Sequence, residues 1–121
     1  MLYTYQNERN AINKGFIMNK KCENTSCAIF NTLQLIGNKW VILIIARLFE
    51  GTRRFGELGR EIPEISSKML TQQLRKMEKD GMVSRKVYAE VPPRVEYSLT
   101  EKGKSLKPIL RSVIEWGDKY A

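Results

Sequence analysis

Histidine is absent from this chain of 121 residues. With it go imidazole general bases, His-containing catalytic triads and His metal ligands. Cysteine is scarce. Cys22 and Cys27 are the two thiols, too few for a disulfide scaffold, and no further Cys or His exists to complete a zinc site around them. Neither a metal nor another cofactor is expected. Long apolar runs are lacking as well: the longest, Trp40 to Ala46, has seven residues, far below the roughly 20 that cross a bilayer. No charged segment followed by an apolar stretch opens the chain, so no secretory signal is read and the expected compartment is the cytoplasm. Acidic residues are outnumbered, 13 against 21 Lys plus Arg, for a net charge of +8. A balance of that sign points to a polyanionic partner, nucleic acid or an acidic membrane surface.

What is present is ordinary for a folded protein. Apolar residues make up 42% and charged residues 28%, which excludes a wholly disordered chain, and the length suits one domain with a modest core. Residues 1–26 are rich in Asn, Lys and Glu without a helical period and read as a flexible N-terminal arm. Residues 27–121 read as the folded domain. Helical spacing begins with Ile29, Phe30, Leu33 and Ile36, stopped by Gly37. The segment KWVILIIARLFEG follows, apolar on every side over its first half, so it is expected at the centre of the core. Phe55 to Ile62 suits a short third helix that Pro63 prevents from continuing.

The next segment, ISSKMLTQQLRKMEKDGM, carries the argument about function. Ile65, Met69, Leu70, Leu74 and Met77 form one apolar stripe, with Ser66 placed to cap the start and Gly81 to end it. The opposite face holds Lys68, Thr71, Gln72, Arg75 and Lys79. Beyond Gly81 the period changes, and Val83 to Val87 and Val95 to Leu99 read as two strands joined by a loop containing Pro92 and Pro93. Thr100 caps a new helical start, and Leu106 to Tyr120 gives a last amphipathic helix with Leu110, Val113, Ile114 and Trp116 on one side. That side suits a subunit seam or intramolecular packing equally well.

A short helix, a tight turn, a polar-faced helix and a hairpin make a mainly α fold with a small β-hairpin, the winged helix-turn-helix. A helix enters the DNA major groove when its outer face is polar and its inner face is anchored to a core. Thr71 and Gln72 offer uncharged groups for base edges, while Lys68, Arg75 and the hydroxyls of Ser66 and Ser67 suit phosphates. Seven basic against three acidic residues between Ser66 and Arg94 give that stretch a net +4. Within it Lys86 and Arg94 flank the proline-stiffened loop, where they suit a minor-groove or phosphate contact. Arg53 and Arg54, just before the third helix, are further phosphate candidates, with an ion pair to Glu57 as the alternative for one of them. A protein- or RNA-docking module would lack this basic face. An enzyme would need paired carboxylates or a glycine loop with phosphate-binding spacing, and neither is present. Membrane binding through the last helix is the remaining alternative, with Trp116 better placed at a seam.

Residues 27–117 resemble the HxlR-type family of bacterial transcription regulators. The resemblance rests on Gly37, Lys39 and Trp40; on Arg54, Phe55 and Leu58; and on Ile65, Ser66, Lys68, Met69 and Leu70. It continues through Leu74, Asp80 and Gly81 to Pro93, Val95, Glu96, Tyr97, Leu99, Thr100 and Gly103. It implies a homodimer that binds double-stranded DNA at inverted-repeat operators. It also places Cys27 where many relatives carry a cysteine, which in some of them senses electrophiles or oxidants.

Overall fold

The computed structural model describes residues 25–121, so residues 1–24 of the expected arm, with Cys22, lie outside the described residues. Packing divides the chain after Asn38. On the first side lies α1 (Thr25–Ile36). Gly37 closes it, its N–H donating to the Leu33 carbonyl at 2.8 Å. Ile29, Phe30 and Leu33 on this helix are all exposed.

From Lys39 onward the elements are α2 (Lys39–Phe49), β1 (Arg53–Arg54), α3 (Phe55–Glu61), α4 (Ser67–Lys79), β2 (Val83–Tyr88), β3 (Arg94–Leu99), α5 (Glu101–Lys104) and α6 (Lys107–Tyr120). Helix α2 buries Val41, Ile44, Ile45 and Leu48. Its apolar surround does not enclose it completely, because Leu43 remains 41% exposed. Onto α2 pack Leu58 of α3 and Leu70, Leu74 and Met77 of α4, together with Tyr97 and Leu99 of β3, all buried. Each such aliphatic side chain contributes about 1.5–3 kcal/mol by leaving water.

The expected hairpin is part of a three-stranded antiparallel sheet in the order β1-β3-β2. Strands β2 and β3 pair from Val83 opposite Leu99 to Tyr88 opposite Arg94. The added strand β1 sets Arg53 opposite Tyr97 and Arg54 opposite Glu96. Two residues carry no readable alternation, which is why no strand is read from the sequence there.

One joint holds the wing to α4. Gly81 takes φ +79°, the left-handed region that a side chain disfavours, and turns the chain out of the helix. Thr100 then donates its hydroxyl to the Gly81 carbonyl at 2.5 Å and accepts from the Gly103 N–H at 3.1 Å, capping α5 as expected. Gly103 presses so closely on Met82 that a Cβ would collide with the Met82 carbonyl. In α6 the first turn contains Pro108, and of the predicted stripe only Leu110 is buried. Ile109, Val113, Ile114, Trp116 and Tyr120 stay exposed. Among the described residues no single helix is long and apolar enough to cross a membrane.

Candidate nucleic-acid interface

The turn between α3 and α4 is anchored from below. Ile62 and Ile65 are buried, while Pro63 and Glu64 between them face outward. The Ile62 N–H donates to Leu58 at 3.0 Å and the Ile65 N–H to Ile62 at 3.1 Å, which fixes the angle at which α4 starts. Ser66 caps that start, accepting from the Met69 N–H at 3.1 Å. With its apolar stripe fixed against α2, the opposite face of α4 has no choice but to face outward. Ser66, Ser67, Lys68, Gln72 and Arg75 are exposed there. Thr71 is half-buried and its hydroxyl donates to the Ser67 carbonyl at 2.9 Å, leaving its oxygen as an acceptor. Lys68 and Arg75 make no ion pair among the described residues. Their charge is uncompensated.

The arginines singled out elsewhere are placed differently. Arg53 is held on the protein: its Nε donates to Glu61 at 3.0 Å, and its guanidinium reaches Glu50 at 3.4 Å and the Thr52 carbonyl at 3.3 Å. The Glu57 carboxylate, a candidate partner for these arginines, instead accepts from the Arg54 backbone N–H at 2.8 Å. The Arg54 side chain is exposed. Arg94 is half-buried at the wing, paired with Glu90 at 3.0 Å and Glu96 at 3.4 Å, and stacked 3.9 Å over the Tyr88 ring. Lys86 is exposed, with its Nζ 5.0 Å from the centroid of the same ring. The structure thus brings Ser66, Ser67, Lys68, Thr71, Gln72 and Arg75 onto one face, and keeps Arg53 and Arg94 in ion pairs that brace the sheet.

One cation was passed over. Arg85 shares a strand face with Val83 and Val87, and a charge between two valines was the available signal. It faces α4 across a cleft, opposite Arg75. Cys27, the third residue of α1, is half-buried.

A helix-turn-helix carried by a small core and followed by an antiparallel wing defines the winged-helix class of transcription regulators. Residues 35–121 match the model of the HxlR-like helix-turn-helix family, and the chain belongs to that family. It is 52% identical over 96 residues to the uncharacterized HTH-type transcriptional regulator YkvN of Bacillus subtilis, covering 79% of this chain and 81% of that one. Among solved structures it is similar to the redox regulator HypR in its oxidized form, with TM-score 0.74 and 46% identity, covering 78% of this chain and 98% of HypR. The reduced form of the transcriptional regulator YodB from B. subtilis superposes with TM-score 0.70 at 37% identity, covering 78% and 92%. The protein is a helix-turn-helix transcriptional regulator and not an enzyme.

Proposed function

We propose that the protein binds double-stranded DNA in the cytoplasm as a homodimer, on an inverted-repeat operator. The observation that carries this reading is the outer face of α4, polar and cationic with uncompensated charge, on a helix whose other side is fixed in the core. Gln72 reads a base edge, and Thr71 contributes an acceptor beside it. Ser66, Ser67, Lys68 and Arg75 hold phosphates, with Arg54 beside α3 and Lys86 on the wing extending the track. Arg53 and Arg94, engaged with carboxylates, position the wing and add long-range positive potential. One helix touches only a few base pairs, so specificity requires two half-sites about one turn, ~34 Å, apart. The uncovered apolar side chains of α1 and of α6 are the faces on which the two-fold seam is built.

Selection of bound duplexes from a random pool tests the reading. Recovered sequences are expected to contain an inverted repeat with that spacing, and sedimentation should give about twice the 14.1 kDa chain mass. Single half-sites bound by a monomer would overturn it.

A second element of the proposal is thiol sensing at Cys27. Its support is the position of the Cys27 thiol in the first turn of α1, where the positive end of the helix dipole favours a thiolate, and the likeness to the redox regulator HypR. Oxidation joins Cys27 to a second thiol, that of Cys22 or of the other protomer. The two thiols release two protons and two electrons to an oxidant such as diamide, which becomes the hydrazine. A bond of this kind tilts the reading heads and changes their spacing. Operator affinity before and after diamide, in wild type and Cys27→Ser, checks it: a change in wild type alone is expected, and equal affinity in all four states refutes sensing.

A further inference from the structure

Between α4 and the wing lies a cleft of about 430 Å³, within the roughly 300–1,000 Å³ range of small-molecule sites. Arg75 enters it from α4 and Arg85 from β2, and neither makes an ion pair or hydrogen bond among the described residues. Tyr97 lines the same space with only 9% of its surface exposed, and its hydroxyl also has no hydrogen-bond partner. A phenol hydroxyl that opens on the cleft without a hydrogen bond to the described residues, beside two exposed guanidinium groups that make no ion pair, leaves three donor groups against the single carboxylate of Glu78. The ligand chemistry that satisfies it is an anion, held by charge-assisted hydrogen bonds in the forked geometry that arginine offers to a carboxylate.

The rest of the lining narrows the class. Phe55 and Leu74 give the cleft apolar walls, which a bare inorganic anion would leave unused and an apolar ring would cover. Glu78 also faces the space. Its carboxylate repels a doubly charged phosphate more than a singly charged carboxylate, and accepts a hydrogen bond from a ligand hydroxyl or amide. We propose that this cleft is an effector site for a small organic carboxylate bearing an apolar ring. Such a ligand takes Arg75 and fills the gap between the reading helix and the wing, so it lowers affinity for DNA. That consequence rests on the DNA-binding function proposed above; ligand binding itself does not.

The test is an NMR titration of the full-length, ¹⁵N-labelled protein with benzoate, following the Nε–Hε signals of Arg75 and Arg85 and the amides around Thr71 and Tyr97. Saturable shifts centred on these residues are expected, with the neutral isostere benzamide producing none. Arg85→Gln should weaken benzoate binding roughly tenfold or more, the effect of losing one charged hydrogen bond. Tyr97→Phe keeps the ring that packs the sheet, and should weaken it severalfold with an otherwise unchanged spectrum. Absence of shifts at the cleft, or equal shifts with benzamide, overturns the proposal. So does saturation by inorganic phosphate but not by benzoate, which would give the two arginines to the DNA backbone. A parallel titration with duplex DNA separates the two readings: failure to bind duplex while benzoate still binds breaks the DNA-binding reading and leaves the effector site standing.

Discussion

Helices α4 and α6 are both amphipathic, yet they face opposite ways. In α4 the apolar stripe of Leu70, Leu74 and Met77 is buried in the chain's own core and the polar face is left outside. In α6 only Leu110 is buried, and Val113, Ile114, Trp116 and Tyr120 remain on the surface, with the last two rings 5.3 Å apart. Amphipathicity alone therefore does not say what a helix is for. The side that the core leaves uncovered does. A polar face with unpaired cations suits a charged, hydrogen-bonding polymer, and an aromatic and aliphatic face suits another apolar surface.

This contrast can be broken at each helix in turn. Leu74→Ala removes a side chain that is 2% exposed, and should destabilise the fold by about 2–5 kcal/mol, read as a lowered midpoint in denaturant unfolding. Trp116→Glu touches no core position. It should leave the spectrum of the folded chain intact while weakening self-association by about 2 kcal/mol or more, the scale of an interfacial aromatic anchor, so that sedimentation shifts to the monomer mass. Loss of folding in Trp116→Glu, or an unchanged dimer, would show that α6 does not differ from α4 in this way. Arg75→Ala has the smallest expected effect. The salt dependence of DNA affinity should fall by about one unit in slope, with little change in sequence preference.

How far these features were legible in the sequence depended on the range of the interaction. The α4 stripe, its Ser66 cap and its Gly81 stop are all local, and each is where the spacing put it. The Thr100 cap was legible for the same reason. Strand β1 was not, because its two residues become a strand only by pairing with β3. Nor were the carboxylates that hold Arg53 and Arg94. Glu61 reaches Arg53 from the end of α3, and Glu96 reaches Arg94 from two positions along the same strand. A charge count gives seven cations to the stretch from Ser66 to Arg94 without showing which are compensated. Gln73 is a further example. Its position in the apolar stripe buries it, with its amide on the Met69 sulfur at 3.3 Å, although its side chain alone suggested solvent. Arg85 was hidden by the opposite logic, a charge on a strand face otherwise apolar, whose meaning appears only when α4 is seen across the cleft.

Base reading by the outer face of α4, as proposed, is open to direct test. The most direct measurement compares wild type and Gln72→Ala on the selected operator and on a set of duplexes each changed at one position, at one salt concentration. Gln72→Ala is expected to lose discrimination at one symmetric position in each half-site, by about 1–3 kcal/mol, and to keep wild-type ratios at the others. Wild-type ratios at every position would contradict it and leave Gln72 as an ordinary surface residue.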